Sequence, residues 1–319
     1  MLARTRIIAL SLILAGMASP ALAQDIRSLD KTFKKVAESS IPKTVLVTSF
    51  IAETGAKAGY GTGAVISQDG YILTCAHVID IAKRIEISFA NKKKYPAKLL
   101  GRNKRQDYAL LKVEATGLPF FEIGDSANLK VGQWAVALGH PGGPYADLQP
   151  AFASGRVTGL HRKLPVQFMQ RYYNDAIQTD CPIYAGNSGG PLVDLEGKLL
   201  GLNGAILQIN DNAYAAPIHQ IIARLAELKA GKEIEGEKAG PEAFAEMQKQ
   251  IKPEDMAKLQ KRMFGRFGKM FGGGKGGKDN PLSKLFDPKM MEQFGKMFGG
   301  GKDGKPGKNP LGDLFGGKG

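Results

Sequence analysis

The chain has 319 residues, room for about two domains, and its 43% hydrophobic and 23% charged residues exclude both a wholly disordered chain and a polytopic membrane protein. A net charge of +14 draws the molecule toward anionic surfaces without choosing among phospholipid, other envelope polymers and nucleic acid. Two cysteines, Cys75 and Cys181, are too few for a disulfide framework or a structural zinc.

Residues 1–23 carry Arg4 and Arg6, an apolar run from Ile7 to about Met17, and Ala21-Leu22-Ala23 as a small-x-small cleavage site. This reads as a secretory signal peptide cleaved after Ala23, since the apolar run is shorter than the ~20 residues a membrane span needs. The mature chain then starts near Gln24 in an exported, oxidising setting, where a bridge between Cys75 and Cys181 is permitted but not required.

Residues 24–229 form one texture. From about Ser28, short β-branched and aliphatic runs alternate with Gly, Pro and Asp: TVLVTSFIA, GAVIS, YILT, RIEISF, YALLKVE, WAVALG, GRVTGL and KLLGLNGAIL. Strands so spaced predict an all-β barrel or sandwich. Only the ends read as helical, with Leu29, Phe33 and Val36 at the start and Ile221, Ile222 and Leu225 on one face of HQIIARLAELK at the close. Residues 230–263 read as a polar linker with helical segments.

Residues 264–319 are a Gly/Lys/Phe-rich repeat. FGKMFGGGKGGKDNPLSKLF from Phe267 recurs from Phe294 as FGKMFGGGKDGKPGKNPLGDLF. The chain holds 41 glycines, about 13% against a usual ~7%, crowded into this tail. So little apolar surface cannot offset the ordering of so much glycine, and the tail is expected to be mobile in isolation. Basic residues outnumber acidic ones there by 11 to 5, and Phe and Met supply insertable side chains, a combination similar to interfacial membrane segments.

Chemistry concentrates at three places. Gly186-Asn187-Ser188-Gly189-Gly190 surrounds a serine with glycines that permit a sharp turn, aiming the Gly186 and Ser188 N–H groups at a developing oxyanion. By itself NSGG is also ordinary turn chemistry. His77, in TCAHV after a strand-like run, is placed to shuttle protons, though a lone histidine is more often structural. Asp107, in RQDYALLKVE, would fix an imidazole tautomer if buried beside it. His140, His161 and His219 read as structural or exposed, no two histidines have metal-ligand spacing, and Trp134 reads as core. The GTG and GGG runs lack the Gly-Lys-Ser/Thr of a phosphate loop.

The order His77, Asp107, Ser188 is that of the chymotrypsin-type triad. With GTGAVISQDGYILTCAHVI, VGQWAVALGHPGG, QTDCPIYAGNSGGPLVDLEGKLLGLNGAI and YAAPI, the sequence from roughly Phe33 to Leu228 resembles a trypsin-like serine protease of the HtrA/Deg type. The resemblance implies a double β-barrel with short terminal helices and the triad between the barrels. It implies His77 as general base and acid, Asp107 as orienting partner, Ser188 as nucleophile, and the Gly186 and Ser188 N–H groups as the oxyanion hole. Ile183, Tyr184 and Ala185 then border the pocket for the residue before the scissile bond, and none is acidic, which favours a small or medium aliphatic residue there over Lys or Arg. Asn203, Gly204 and Ala205 are the candidate edge that pairs with substrate backbone.

Asn187 stands where pancreatic-type enzymes carry an aspartate, so activation by a new N-terminus is not expected. No PDZ-like stretch is recognised after the protease region, and regulation by PDZ-bound peptides is not expected. The function implied is that of an exported endopeptidase, periplasmic or secreted, acting on unfolded or envelope polypeptides without metal or cofactor. The competing reading is a catalytically silent, protease-like binding protein or holdase docked by its basic tail to an anionic membrane or envelope surface. Nucleic acid is not an expected partner, and the resemblance leaves a homo-oligomer open.

Overall fold

The computed structural model of the chain describes residues 20–51, 57–143, 147–166, 171–207 and 212–238. Strands β1 (Thr44–Phe50), β2 (Lys57–Val65), β3 (Tyr71–Thr74), β4 (Arg84–Ser88), β5 (Lys94–Asn103) and β6 (Tyr108–Val113) close into an antiparallel barrel in the order β1-β2-β3-β6-β5-β4. Strands β7 (Trp134–Gly139), β8 (Ala151–Val166), β9 (Arg171–Thr179), β10 (Pro191–Val193), β11 (Leu199–Leu207) and β12 (Asn212–Pro217) close a second one, ordered β10-β11-β12-β9-β8-β7. Helix α1 (Pro20–Ser40) precedes the first barrel, α2 (Ala76–Ile79) follows β3, and α3 (Ile218–Ala223) and α4 (Leu225–Lys229) follow β12. A double barrel with helices at its ends is therefore the fold of the described residues.

Alternation along each strand explains the closure. In β1, Val45 and Val47 face inward onto Val65, Ile72, Ile87 and Leu111, filling the first barrel. Alanines take a larger share of the second, where Ala135, Ala137, Ala213 and Ala215 pack with Val157, Ile177 and Leu192. A third cluster draws Leu73, Tyr108 and Leu110 from the first barrel, Leu138, Tyr173 and Leu202 from the second, and Val36, Ile221 and Leu228 from the helices. It therefore packs barrels and terminal helices together.

Phe33 of α1 stands edge-on to Trp134 and Phe152, with ring centroids 5.3 and 6.1 Å apart. Trp134 is half-buried rather than central, and the Arg156 guanidinium covers its other side at 3.8 Å.

The packed body also runs past the boundary expected at Lys229. Ile234 is buried in the shared cluster, its N–H donates to the Arg102 carbonyl at 2.8 Å, and Arg105 Nη1 donates to the Gly236 carbonyl at 2.8 Å. Ile234 is a single apolar residue in a polar stretch, so no periodicity marked it. Cys75 and Cys181 are both buried free thiols, and no bridge joins them. Residues 1–19 of the expected signal peptide, the expected linker beyond Lys238 and the repeat tail lie outside the described residues.

Candidate active site

His77 and Asp107 are brought together by the first barrel. β3 ends at Thr74 and α2 starts two residues later, so His77 sits in the first turn of a helix whose Ala76, Val78 and Ile79 are buried while His77 itself faces outward. Asp107 closes the β5–β6 connection with φ +60, a left-handed conformation that aspartate tolerates better than most residues. Asn103, fully buried, braces that connection by accepting the Gln106 N–H at 2.9 Å and donating to Gln106 Oε1 at 2.9 Å.

The carboxylate of Asp107 is buried and surrounded by donors. Its Oδ1 accepts the His77 backbone N–H at 2.9 Å and lies 3.0 Å from His77 Nδ1. Its Oδ2 lies 2.8 Å from His77 Nδ1 and accepts from Arg171 Nη1 at 2.7 Å and from the Tyr173 hydroxyl at 2.5 Å. Burial pushes the Asp107 carboxyl upward, but the charges of His77 and Arg171 and the hydrogen bonds from His77 and Tyr173 outweigh it and hold the group well below the usual carboxylate range. Burial and the neighbouring Asp107 charge drive the Tyr173 phenol upward, so it stays a donor.

Ser188 comes from the second barrel. Gly186 at φ +107 and Gly189 at φ +82 make the turn. A side chain on Gly186 would collide with the His140 carbonyl, and one on Gly189 with Thr62 and Thr74. Thr62 of β2 fastens this turn to the first barrel: its N–H donates to the Ser188 carbonyl at 2.8 Å and its hydroxyl to the Gly186 carbonyl at 2.7 Å. The same hydroxyl accepts the His140 N–H at 2.9 Å. Burial lowers the His140 imidazole pKa to about 4, keeping it neutral. Gly61 matters because a Cβ there would lie 2.8 Å from the Ser188 carbonyl oxygen.

The Ser188 turn thus rests on the strand ends that lead into Cys75 and His77, yet among the described residues Ser188 Oγ makes no hydrogen bond with His77. The N–H groups of Gly186 and Ser188 likewise have no protein acceptor among the described residues, while the intervening Asn187 N–H donates to the Tyr184 carbonyl at 3.0 Å.

The remaining expected residues divide. Ile183 is buried in the second barrel's interior, whereas Tyr184 and Ala185 are exposed beside the turn. The Asn203 backbone is fully committed, its N–H to the Gly190 carbonyl at 2.9 Å and its carbonyl to the Gly189 N–H at 2.7 Å. Asn203 therefore braces the Ser188 turn, and its backbone N–H is already used within the protein. Beyond it, β11 bulges between Asn203 and Ala205, and from Gly204 onward it has no strand on its β10 side among the described residues.

Cys75 Sγ, His77 and Asp107 place three possible metal ligands within 4.8 Å, but the Arg171 cation shares that space and opposes a second positive charge. The Cys75 thiol is pushed up by burial and by Asp107 and donates to the Asn203 carbonyl at 3.4 Å. Sequence reasoning missed Thr62, Asn103, Arg171 and Tyr173, because a hydroxyl or guanidinium inside an ordinary strand run carries no pattern of its own.

Residues 61–202, which include the serine turn, match the family model described as trypsin-like peptidase domain. Within that class the chain is related to the DegP-like and HtrA-type serine endoproteases. It is 36% identical over 210 residues to a probable periplasmic serine endoprotease DegP-like of Pseudomonas fulva, covering 65% of this chain and 42% of the relative. It is 43% identical over 154 residues to the DegP-like protein of a Marinomonas species, covering 48% and 31%. The solved HtrA-type protease AlgW with a tripeptide superposes with a TM-score of 0.55 at 26% identity, over 62% of this chain and 63% of that one. The chain spans less than half the length of these two curated relatives.

Proposed function

We propose that this chain is an exported serine endopeptidase, periplasmic like its named relatives, that hydrolyses unfolded or envelope polypeptides through Ser188, His77 and Asp107. The observation that carries the reading is the buried Asp107 carboxylate 2.8 Å from His77 Nδ1, with the glycine-flanked Ser188 turn fastened beside it by Thr62.

With Nδ1–H donated to Asp107, His77 Nε2 is free to take the Ser188 proton as Oγ attacks the peptide carbonyl carbon. The carbonyl oxygen becomes an oxyanion held by the Gly186 and Ser188 N–H groups. The imidazolium then protonates the leaving amine, an acyl-serine remains, and water enters by the same steps in reverse. Gly204 and Ala205, on the open side of β11, are the residues offered to substrate backbone. Tyr184 and Ala185 border the pocket for an aliphatic residue before the scissile bond.

A fluorophosphonate probe should label the full-length protein and fail to label Ser188→Ala. Absence of labelling in both, with unfolded polypeptide present and after mild heating, would transfer the reading to a silent binding protein. We further propose that residues 264–319 dock on anionic lipid, a reading supported by their basic excess and their Phe and Met content. Co-sedimentation with anionic vesicles should drop on removing these residues and on raising salt. Equal sedimentation at low salt would end that part of the proposal.

A further inference from the structure

Three atoms at the base of the site form a nearly equilateral triangle: Arg171 Nη1 to Asp107 Oδ2 is 2.7 Å, Asp107 Oδ2 to His77 Nδ1 is 2.8 Å, and His77 Nδ1 to Arg171 Nη1 is 2.8 Å. These distances cannot all be hydrogen bonds. A guanidinium only donates and a carboxylate only accepts, so Nδ1 can satisfy one neighbour and not both. Protonated, it bonds Asp107 and faces an N–H donor at contact distance. Unprotonated, it accepts from Arg171 and faces the carboxylate lone pairs, and its proton must sit on Nε2, where it blocks uptake of a proton from Ser188.

The charge balance points the same way. In an Asp–His pair the carboxylate offsets the imidazolium that forms as serine is deprotonated. Here Asp107 already holds a cation, and that cation touches the ring on which a second positive charge must develop. At this separation in a buried site the repulsion is large compared with thermal energy.

The seat of Arg171 is also poorly satisfied. The residue is 7% exposed, Nη1 is its anchor on the carboxylate, and its Nε is buried without a partner. A buried guanidinium so held retains a desolvation penalty that a bidentate pair would offset. Removing it leaves Asp107 three donors, the His77 N–H, the His77 Nδ1–H and the Tyr173 hydroxyl, so the carboxylate does not depend on Arg171 to stay satisfied.

We propose that Arg171 is a positioning residue that holds the His77–Asp107 pair in a resting arrangement, and that turnover requires its guanidinium to leave His77 Nδ1. This rests on the assignment of Ser188, His77 and Asp107 as the hydrolytic triad. The absence of a Ser188–His77 hydrogen bond in this structure agrees with it.

The test uses full-length protein with 15N-labelled histidine, the ring signals of His77 being assigned by their loss in His77→Gln. Wild type should show Nε2–H with Nδ1 as acceptor, and Arg171→Met should show the Nδ1–H form. Arg171→Met should also react with the fluorophosphonate at least about tenfold faster than wild type, whereas Arg171→Lys, which keeps the charge, should stay slow. A wild-type ring already in the Nδ1–H form overturns the proposal, and so does an Arg171→Met protein that is labelled but no faster than wild type. The wild-type spectrum decides the matter even if Arg171→Met fails to fold. Should the tautomer change as expected while neither protein is labelled, the Arg171 contact stands and it is the peptidase reading that falls.

Discussion

A Cβ placed on Gly204 would lie 2.5 Å from the hydroxyl oxygen of Tyr173, and that hydroxyl is the group that donates to Asp107 Oδ2. Gly204 is therefore the space in which Tyr173 reaches the carboxylate, and the bulge that frees it from pairing with β12 leaves it at the start of the open stretch of β11. One residue couples the orientation of Asp107 to the edge proposed to read substrate.

Gly204→Ala should consequently push the phenol off the carboxylate. The overpacking is expected to cost about 1–3 kcal/mol of stability, and kcat should fall more than thermal stability accounts for. Tyr173→Phe removes the same donor without the clash, at about 1.5–3 kcal/mol for a lost hydrogen bond to a charged group. The two changes share one mechanism, so the double variant should lose much less than the sum of the singles. Chemical denaturation and peptide hydrolysis on all four proteins check this, and full additivity would show that Gly204 does not act through Tyr173.

His140 should make the fold acid-sensitive in a defined window. Its imidazole titrates near 6.5 when unfolded and at about 4 when buried, so between those values the unfolded chain binds the extra proton and stability falls as pH drops. The loss integrates to on the order of 3 kcal/mol. Asp107, depressed below the ordinary carboxylate value of 3.8, adds a loss of the same direction that sets in only below that value, which separates the two. Denaturation midpoints followed from pH 6.5 to pH 4 should therefore slope steeply in wild type and much less in His140→Gln. Parallel slopes would mean that His140 is not buried as a neutral ring.

Both thiols should be silent in the native state. Cys75 and Cys181 are fully buried, and burial raises the Cys181 pKa to about 11 and drives that of Cys75 upward as well, leaving almost no thiolate to react. An aromatic disulfide reagent should find both thiols in denaturant and essentially none in buffer. Rapid native reaction of one thiol would reveal local opening around it.

The all-β character was legible because strands and turns leave a period that survives reading one residue at a time, as in TVLVTSF and GRVTGL, whereas closure into two barrels was implied only by the resemblance. The proposed triad could be nominated from sequence because chain order and the glycines around Ser188 are local features. Arg171 and Tyr173 could not be, since the strand that carries them meets Asp107 only after the second barrel has closed onto the first. The bracing role of Asn203 is hidden for the same reason: nothing in LNGAI says that both of its backbone groups are used by Gly189 and Gly190. Thr62 lies inside a GTG run that lacks a phosphate-loop pattern, and only the structure shows that its Gly61 is needed for close approach to the Ser188 carbonyl while Gly63 packs against Ile72 and Leu73.

The segment after α4 should prove part of the catalytic body. Ile234 is 6% exposed within the cluster shared by both barrels, and its neighbours brace the connection that carries Asp107: Arg102 pairs with Glu233 in a parallel bridge, Arg105 holds the Gly236 carbonyl, and Asn174, one residue past Tyr173, donates to Glu237 Oε2 at 2.7 Å. Ile234→Ala should then destabilise the fold by about 2–5 kcal/mol. A chain ending after Lys229 should lose at least as much and hydrolyse peptide more slowly, while one ending after Lys238 should match the full-length protein in melting and in peptide hydrolysis. If the chain ending after Lys229 melts and turns over like the longer one, Ile234 contributes neither to the core nor to the setting of Asp107.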